Sequence, residues 1–157
     1  MNYDELNIKA WSMEIRKNQM LYPDERVVAC LAKNFGNIKG NNDKKALDIG
    51  FGSGRYLKLL LDYGFDVYGV DYSMDSVKTA ENILGGFKDR INIRKADLGD
   101  NLYSNEFFDF IICYGVIFLR QTDDMVSDLQ KIYALLKIGG KLIVNFRTKE
   151  DHNYAKG

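Results

Sequence analysis

The sequence predicts an α/β protein with a doubly wound, mainly parallel sheet, and three observations carry that expectation. Between residues 46 and 146, short apolar runs alternate with stretches whose apolar residues recur at helical spacing. Glycine or aspartate follows the runs, at Gly50, Asp71, Asp97 and Gly115. At 157 residues, 46% of them apolar, the chain has one domain's length and enough apolar side chains for a buried core. Strands separated by helices call for right-handed crossovers, and these set neighbouring strands parallel.

Taken in order, residues 3–20 place Ile8, Trp11 and Ile15 on one helical face. A second helix is expected to open at Pro23, with Asp24 and Glu25 in its first turn and Val27, Val28, Leu31 and Phe35 as its buried stripe. Gly36 to Lys45 reads as a polar loop. Ala46–Ile49 is the first strand, and Arg55–Tyr63 a helix burying Leu57, Leu60 and Leu61, with Gly64 as its stop. Phe65–Val70 is a strand ending at Asp71. Ser73 caps a helix carrying Val77, Ala80 and Leu84, which Gly85 and Gly86 end. Ile91–Lys95 and the nearly all-apolar Phe108–Cys113 are the next strands. A helix from Thr122 or Asp123 turns Met125, Leu129, Ile132, Tyr133 and Leu136 inward and ends at Gly139-Gly140. Lys141–Phe146 is the last strand. The chain is thus expected to be a single domain over 1–157, with helices over 1–36 and the α/β core over 45–147.

Charges balance at 22 basic against 22 acidic residues, which gives no global pull toward nucleic acid or a membrane surface. No apolar run nears the roughly 20 residues that span a bilayer, and the start Met1-Asn2-Tyr3-Asp4-Glu5 lacks a signal peptide's basic region. Cys30 and Cys113, far apart and outside any CxxC, read as buried reduced thiols of a cytoplasmic protein. With His152 as the single histidine, no metal site is expected.

The chain is organised around Ala46-Leu47-Asp48-Ile49-Gly50-Phe51-Gly52-Ser53-Gly54-Arg55-Tyr56-Leu57. This is strand, tight turn and helix, with glycines at alternate turn positions. One glycine would satisfy a plain turn; three leave the backbone open to a ligand, and the helix amides favour a polar or anionic group. In such a sheet ligands bind outside the carboxyl ends of the strands. Asp71, 21 positions after Gly50, stands where an acid can accept from a ribose diol. Two nucleoside-bearing ligands fit, a dinucleotide and S-adenosylmethionine. The dinucleotide fingerprint asks for glycine or alanine where Arg55 stands, so the compact nucleoside fits better.

These residues resemble the class I S-adenosylmethionine-dependent methyltransferases. Ala46–Gly54 is similar to that family's first motif, Val67-Tyr68-Gly69-Val70-Asp71-Tyr72-Ser73 to its second and Lys95-Ala96-Asp97-Leu98 to its third. Phe108–Cys113 resembles its fourth strand. Leu135-Leu136-Lys137-Ile138-Gly139-Gly140-Lys141-Leu142 resembles its leucine-leucine-lysine-proline-glycine-glycine turn, with Ile138 in the proline's place. The resemblance covers residues 46–146 in register. It implies a Rossmann-like sheet of five strands in the order 3-2-1-4-5 behind two N-terminal helices. It implies S-adenosyl-L-methionine as cofactor and S-adenosyl-L-homocysteine as product. By the same resemblance, Gly54 belongs to the cofactor-binding loop, Asp48 and the backbone at Gly50 and Gly52 would face the methionine part, Asp71 the ribose, and Tyr72 the adenine. Asp97 would accept from the adenine amino group, with Leu98 beside the ring, Tyr114 near the methyl group, and Trp11 or Tyr22 closing the site.

Methyl transfer from a sulfonium is an in-line displacement driven largely by alignment; a base helps only when the acceptor needs deprotonation, and the sequence points to no residue for it. His152 reads as a solvated terminal residue. Cys113-Tyr114-Gly115-Val116 stands where amino-methylating nucleic-acid enzymes carry Asn/Asp-Pro-Pro-aromatic, and no Pro-Cys occurs. A small-molecule acceptor is therefore expected first, with protein or RNA as open alternatives. The family's two further strands and last helix are expected to be missing, since the chain ends eleven residues after Phe146. That leaves the fifth strand at an exposed edge open to a homodimer. The alternative is a cofactor-binding module whose acceptor part comes from elsewhere.

Overall fold

The structure, a computed structural model, describes residues 9, 10, 13, 17, 19–36, 38–98, 100–119, 122–148 and 150. Ile8, Trp11, Ile15 and His152 lie outside the described residues, so the first expected helix is seen only at positions 9, 10, 13 and 17, all helical. Helix α1 spans Glu25–Phe35. Its N-cap is Asp24, whose carboxylate accepts from the Arg26 amide at 2.9 Å. The helix therefore does not open at Pro23, because a side-chain acceptor closes the first turn better than a residue without an oxygen there. Val27 and Leu31 are buried, while Val28 and Phe35 are half-buried. The polar loop that follows contains a 3-10 turn, Ile38–Asn41. Asn41 is buried, donating to the carbonyls of Phe35 (2.8 Å) and Tyr63 (3.0 Å), and so ties two helix ends together.

Five strands follow: β1 Lys45–Ile49, β2 Asp66–Asp71, β3 Ile91–Lys95, β4 Phe108–Cys113 and β5 Leu136–Val144. They form one sheet in the order β3-β2-β1-β4-β5, every pair parallel. Between them run α2 Arg55–Asp62, α3 Met74–Leu84 and α4 Thr122–Leu135. One face of the sheet, with Ala46, Val67, Phe110 and Ile112, packs against α1, α2 and α3 through Val27, Leu31, Leu57, Leu60, Ala80 and Leu84. The other, with Leu47, Ile49, Val70, Ile111 and Cys113, packs against Ile132 of α4 and the 96–107 loop. There Tyr68, Tyr103, Phe107 and Phe108 meet, Tyr103 and Phe107 stacked at 5.9 Å and the other pairs edge to face at 5.0–5.6 Å. Among the described residues no helix is long and apolar enough to cross a membrane.

The end of α4 departs from expectation. The helix stops at Leu135, not at Gly139-Gly140, and β5 begins at once. The amides of Glu106 and Phe107 donate to the carbonyls of Ala134 and Leu135, both at 2.9 Å, and draw the helix end into the sheet. Gly139, at φ +79°, lies instead within an irregularity between the pairs Phe108–Leu136 and Phe110–Lys141. Tyr133, expected inward, is 78% exposed, and Asp128 takes a buried place on the helix beside Lys131 at 3.7 Å. Cys113 is buried, with burial the main cause that pushes its thiol to about 12, whereas Cys30 is half-buried.

Candidate functional site

The turn after β1 is built from backbone. Gly50, Gly52 and Gly54 all have positive φ, at +68°, +55° and +86°. The turn itself therefore has a conformational use for all three glycines, beyond any ligand. The Gly50 amide donates to Val70 at 2.7 Å, fastening the loop to β2, and the Gly54 amide closes the turn on Phe51 at 2.9 Å. Gly54 is the N-cap of α2 and offers no side-chain acceptor to the helix amides. A Cβ on Gly50 would lie 2.3 Å from Val116 Cγ2, so the opposite side of the cleft packs directly on this backbone.

Two carboxylates sit beneath the loop. Asp71, at the end of β2, is 2% exposed; its Oδ2 accepts from Gly52 N at 2.9 Å and its Oδ1 from Ser73 N at 2.8 Å. Burial raises its pKa, and the hydrogen bonds from Ser73 and Gly52 oppose the rise. Ser73 also caps α3, accepting from Ser76 N at 3.4 Å. Asp48, on β1 between Gly69 of β2 and Ile112 of β4, is 1% exposed, and its Oδ2 has no hydrogen-bond partner. Burial pushes its pKa well up, the neighbouring Asp71 adds to that, and Arg55 opposes it. The Tyr72 hydroxyl is held at about 12, by burial first and then by Asp71 and Asp97.

The facing side comes from two stretches distant in sequence. Tyr114, Gly115 and Val116 follow β4, with a 3-10 turn over Ile117–Leu119, and the Gly115 amide is held by Asn145 Oδ1 at 2.6 Å. The segment leading into α1 crosses the loop: Ser53 Oγ donates to the Met20 carbonyl at 2.5 Å and Arg55 Nη1 to the Tyr22 carbonyl at 3.3 Å. Arg26 Nη1 reaches the Tyr114 hydroxyl at 3.3 Å, and the Tyr114 ring meets Tyr56 edge-on at 6.1 Å. The space enclosed is about 80 Å³, far below the roughly 300–1,000 Å³ of a pocket for a drug-sized ligand. The Met20–Asp24 segment lies over this loop as a strap, tied to it by the bonds from Ser53 and Arg55.

Gly50, Gly52, Asp71, Tyr72 and Tyr114 line this cleft together. Gly54 turns the loop into α2, and Asp48 lies buried behind it. Asp97 and Leu98 do not line it. Asp97 is exposed, its Oδ1 accepts from Leu98 N at 2.7 Å and its amide donates to Asp100, while Leu98 packs on the second core. The Tyr22 side chain is 85% exposed, and its carbonyl makes the contact to Arg55. Val116 and Leu119, in the loop after β4, line the cleft too, as do Met20 and Tyr56, whose backbone and apolar contacts leave no motif to read.

Residues 47–144 match the model of the family described as "Methyltransferase domain". The chain is 33% identical over 115 residues to the glycine/sarcosine N-methyltransferase of Aphanothece halophytica, which covers 70% of this chain and 43% of that protein. It is 27% identical over 125 residues to a protein-lysine N-methyltransferase of Saccharomyces cerevisiae, covering 77% of this chain and 50% of that protein. The chain thus spans about half the length of these curated relatives. The 1,6-didemethyltoxoflavin-N1-methyltransferase of Burkholderia thailandensis, solved with its namesake compound and S-adenosylhomocysteine, aligns with a TM-score of 0.69. That alignment covers 90% of this chain and 61% of that one at 19% identity, a likeness of fold. The family match runs through all five strands, the glycine loop and the 114–119 stretch that faces it, and by it this chain belongs to the methyltransferase-domain family, the S-adenosylmethionine-dependent methyltransferases of Rossmann-like fold.

Proposed function

We propose that this chain binds S-adenosylmethionine against the Gly50–Gly54 loop and directs its methyl group to a small-molecule acceptor. One observation carries the reading: the glycine loop and the carboxylate that braces it, Asp71, meet in a single cleft within the family-matched stretch. The residues fit the cofactor chemically. The unpartnered Asp48 Oδ2 suits an ammonium, and the glycine backbone at Gly50, Gly52 and Gly54 accommodates the methionine chain. Asp71 serves the ribose hydroxyls and Tyr72 the adenine face. Asp97 and Leu98, one strand further on, complete the adenine end after local rearrangement, since they stand outside the present cleft.

When bound, the cofactor supplies a sulfonium methyl group, already activated for in-line displacement. The protein's part is then to align and to exclude water. Tyr114, supported by Tyr56 and by Arg26, stands where the loop and the facing side converge, and so would border the methyl group. The Met20–Asp24 strap covers that side and supports a small acceptor over a macromolecular one. The names of two relatives, a glycine/sarcosine and a 1,6-didemethyltoxoflavin methyltransferase, support the same class. A second reading is a cofactor-binding module that takes its acceptor-binding part from elsewhere. The outer strand β5 offers an edge on which a second copy could pair.

Calorimetric titration with S-adenosylhomocysteine tests the cofactor assignment. The expected result is saturable binding that Asp71→Ala weakens by tenfold or more, with no binding of NAD. A cooperatively melting chain that ignores S-adenosylhomocysteine would overturn the assignment. A chain that binds it yet methylates no small molecule in a metabolite extract would turn the reading toward the module.

A further inference from the structure

One side of the cleft hangs on the chain that leaves β5. Asn145, the first residue past that strand, presents its Oδ1 to the Gly115 amide at 2.6 Å, across 30 positions of sequence. Two residues on, the Arg147 guanidinium lies 4.3 Å over the Phe118 ring. Neither side chain lines the cleft, yet between them they grip the stretch after β4 near both of its ends.

Gly115 shows why a grip is needed. Its φ is +89°, and a Cβ there would meet nothing within 4 Å, so no packing around it enforces the left-handed turn. Glycine has the widest choice of backbone conformations, and the bond to its amide narrows that choice here. On either side of Gly115 stand Tyr114 and Val116, both in the cleft wall, with Val116 against Gly50. The Tyr114 side chain has looser neighbours of its own: Tyr56, edge-on at 6.1 Å, and Arg26, an exposed side chain, at 3.3 Å. The direction of the Tyr114 ring is therefore set largely by the backbone that Asn145 pins.

We propose that Asn145 is a positioning residue, holding the Tyr114 ring against the place of the cofactor's sulfonium through Gly115, with Arg147 on Phe118 as the second anchor. The inference rests on the cleft being the S-adenosylmethionine site and on Tyr114 bordering the methyl group. An aromatic face attracts a sulfonium as it attracts other cations, whereas a neutral thioether lacks that charge. The placement of Tyr114 is thus readable as the affinity for S-adenosylmethionine divided by that for S-adenosylhomocysteine. The two ligands differ only in the methyl group and its charge.

The test is calorimetric titration of the whole chain with both ligands, in wild type, Asn145→Leu, Asn145→Asp, Arg147→Gln, Tyr114→Leu and the double variant Tyr114→Leu/Asn145→Leu. Asn145→Leu is expected to lower the ratio by about threefold to tenfold. Asn145→Asp, which keeps an acceptor oxygen, should hold it at or above the wild-type value. Arg147→Gln leaves the Asn145 bond in place and should lower the ratio by about twofold; it decides the question if Asn145→Leu does not fold. In the double variant the ratio should equal that of Tyr114→Leu alone, because Asn145 acts through that ring. Equal losses for both ligands in Asn145→Leu overturn the inference, since they would make Asn145 a support of the fold only. So does an unchanged ratio in Asn145→Leu and Arg147→Gln, or a drop in the double variant beyond that of Tyr114→Leu. A wild-type chain that melts cooperatively and binds neither ligand overturns the cofactor reading together with the inference.

Discussion

The two sides of the cleft are made differently. The side formed by β1 and β2 is backbone held in left-handed turns, with a buried carboxylate locking Gly52 to the start of α3. The facing side is made of segments brought in from residues 20–26 and 114–119; the first is tied to the loop by single hydrogen bonds from Ser53 and Arg55, while Val116 and Ile117 of the second pack on the core. The first side is intolerant of added atoms because its conformation excludes a Cβ. The segment from residues 20–26 can give way, because each of its links costs only a modest hydrogen bond to break. A rigid frame facing a yielding cover is what a site needs if a ligand several times the present cavity must enter.

The sharpest way to break this contrast is Gly50→Ala. A side chain there meets a left-handed φ, costing about 1–2 kcal/mol, and Val116 Cγ2 at 2.3 Å. The expected loss of stability is about 2–4 kcal/mol by denaturant unfolding. Adding Val116→Ala should return the contact part and leave the conformational part; full recovery would show that the backbone is not the rigid element. Next comes Asp48→Asn. Asp48 and Asp71 both have pKa values raised above 3.8 in the fold, by burial first. The folded chain then binds more protons than the unfolded one above that pH, and stability falls as pH rises through the raised values. Removing the Asp48 charge should flatten that fall and lift the neutral-pH melting temperature by a few degrees, on the order of 1 kcal/mol. A steeper pH profile or a lower melting temperature would refute it. The smallest effect belongs to Ser53→Ala, which frees the Met20 carbonyl. It should cost about 0.5–1 kcal/mol, and a loss as large as that of Gly50→Ala would make the cover as rigid as the frame.

The same contrast decides what the sequence makes legible. The strands, the three helices between them and the cleft's place were readable because periodicity and glycine spacing are properties of residue type, whereas the strand order came with the family resemblance. Asp71 was readable too, since an acid at a strand end has a chemical signature. The cover was not readable: Met20 and Tyr22 act through carbonyl oxygens, which every residue has. Asn41 sat in a stretch that read as a polar loop, yet it is buried because two helix-end carbonyls needed a donor. The end of α4 was misplaced because Gly139-Gly140 looks like a helix stop, while the actual stop is dictated by β4's approach, a tertiary contact. Gly54 and Asp97 show the limit from the other direction, since correct motif positions did not bring either into the lined cleft.

The hydrogen bond from Gly52 to Asp71 has one more consequence. Three left-handed residues are ordered before any ligand arrives, and ordering a backbone residue costs about 1–2 kcal/mol in entropy. That cost is borne when the chain folds, driven by the core, and not when the ligand binds. Contacts made to this loop are therefore kept almost whole as affinity.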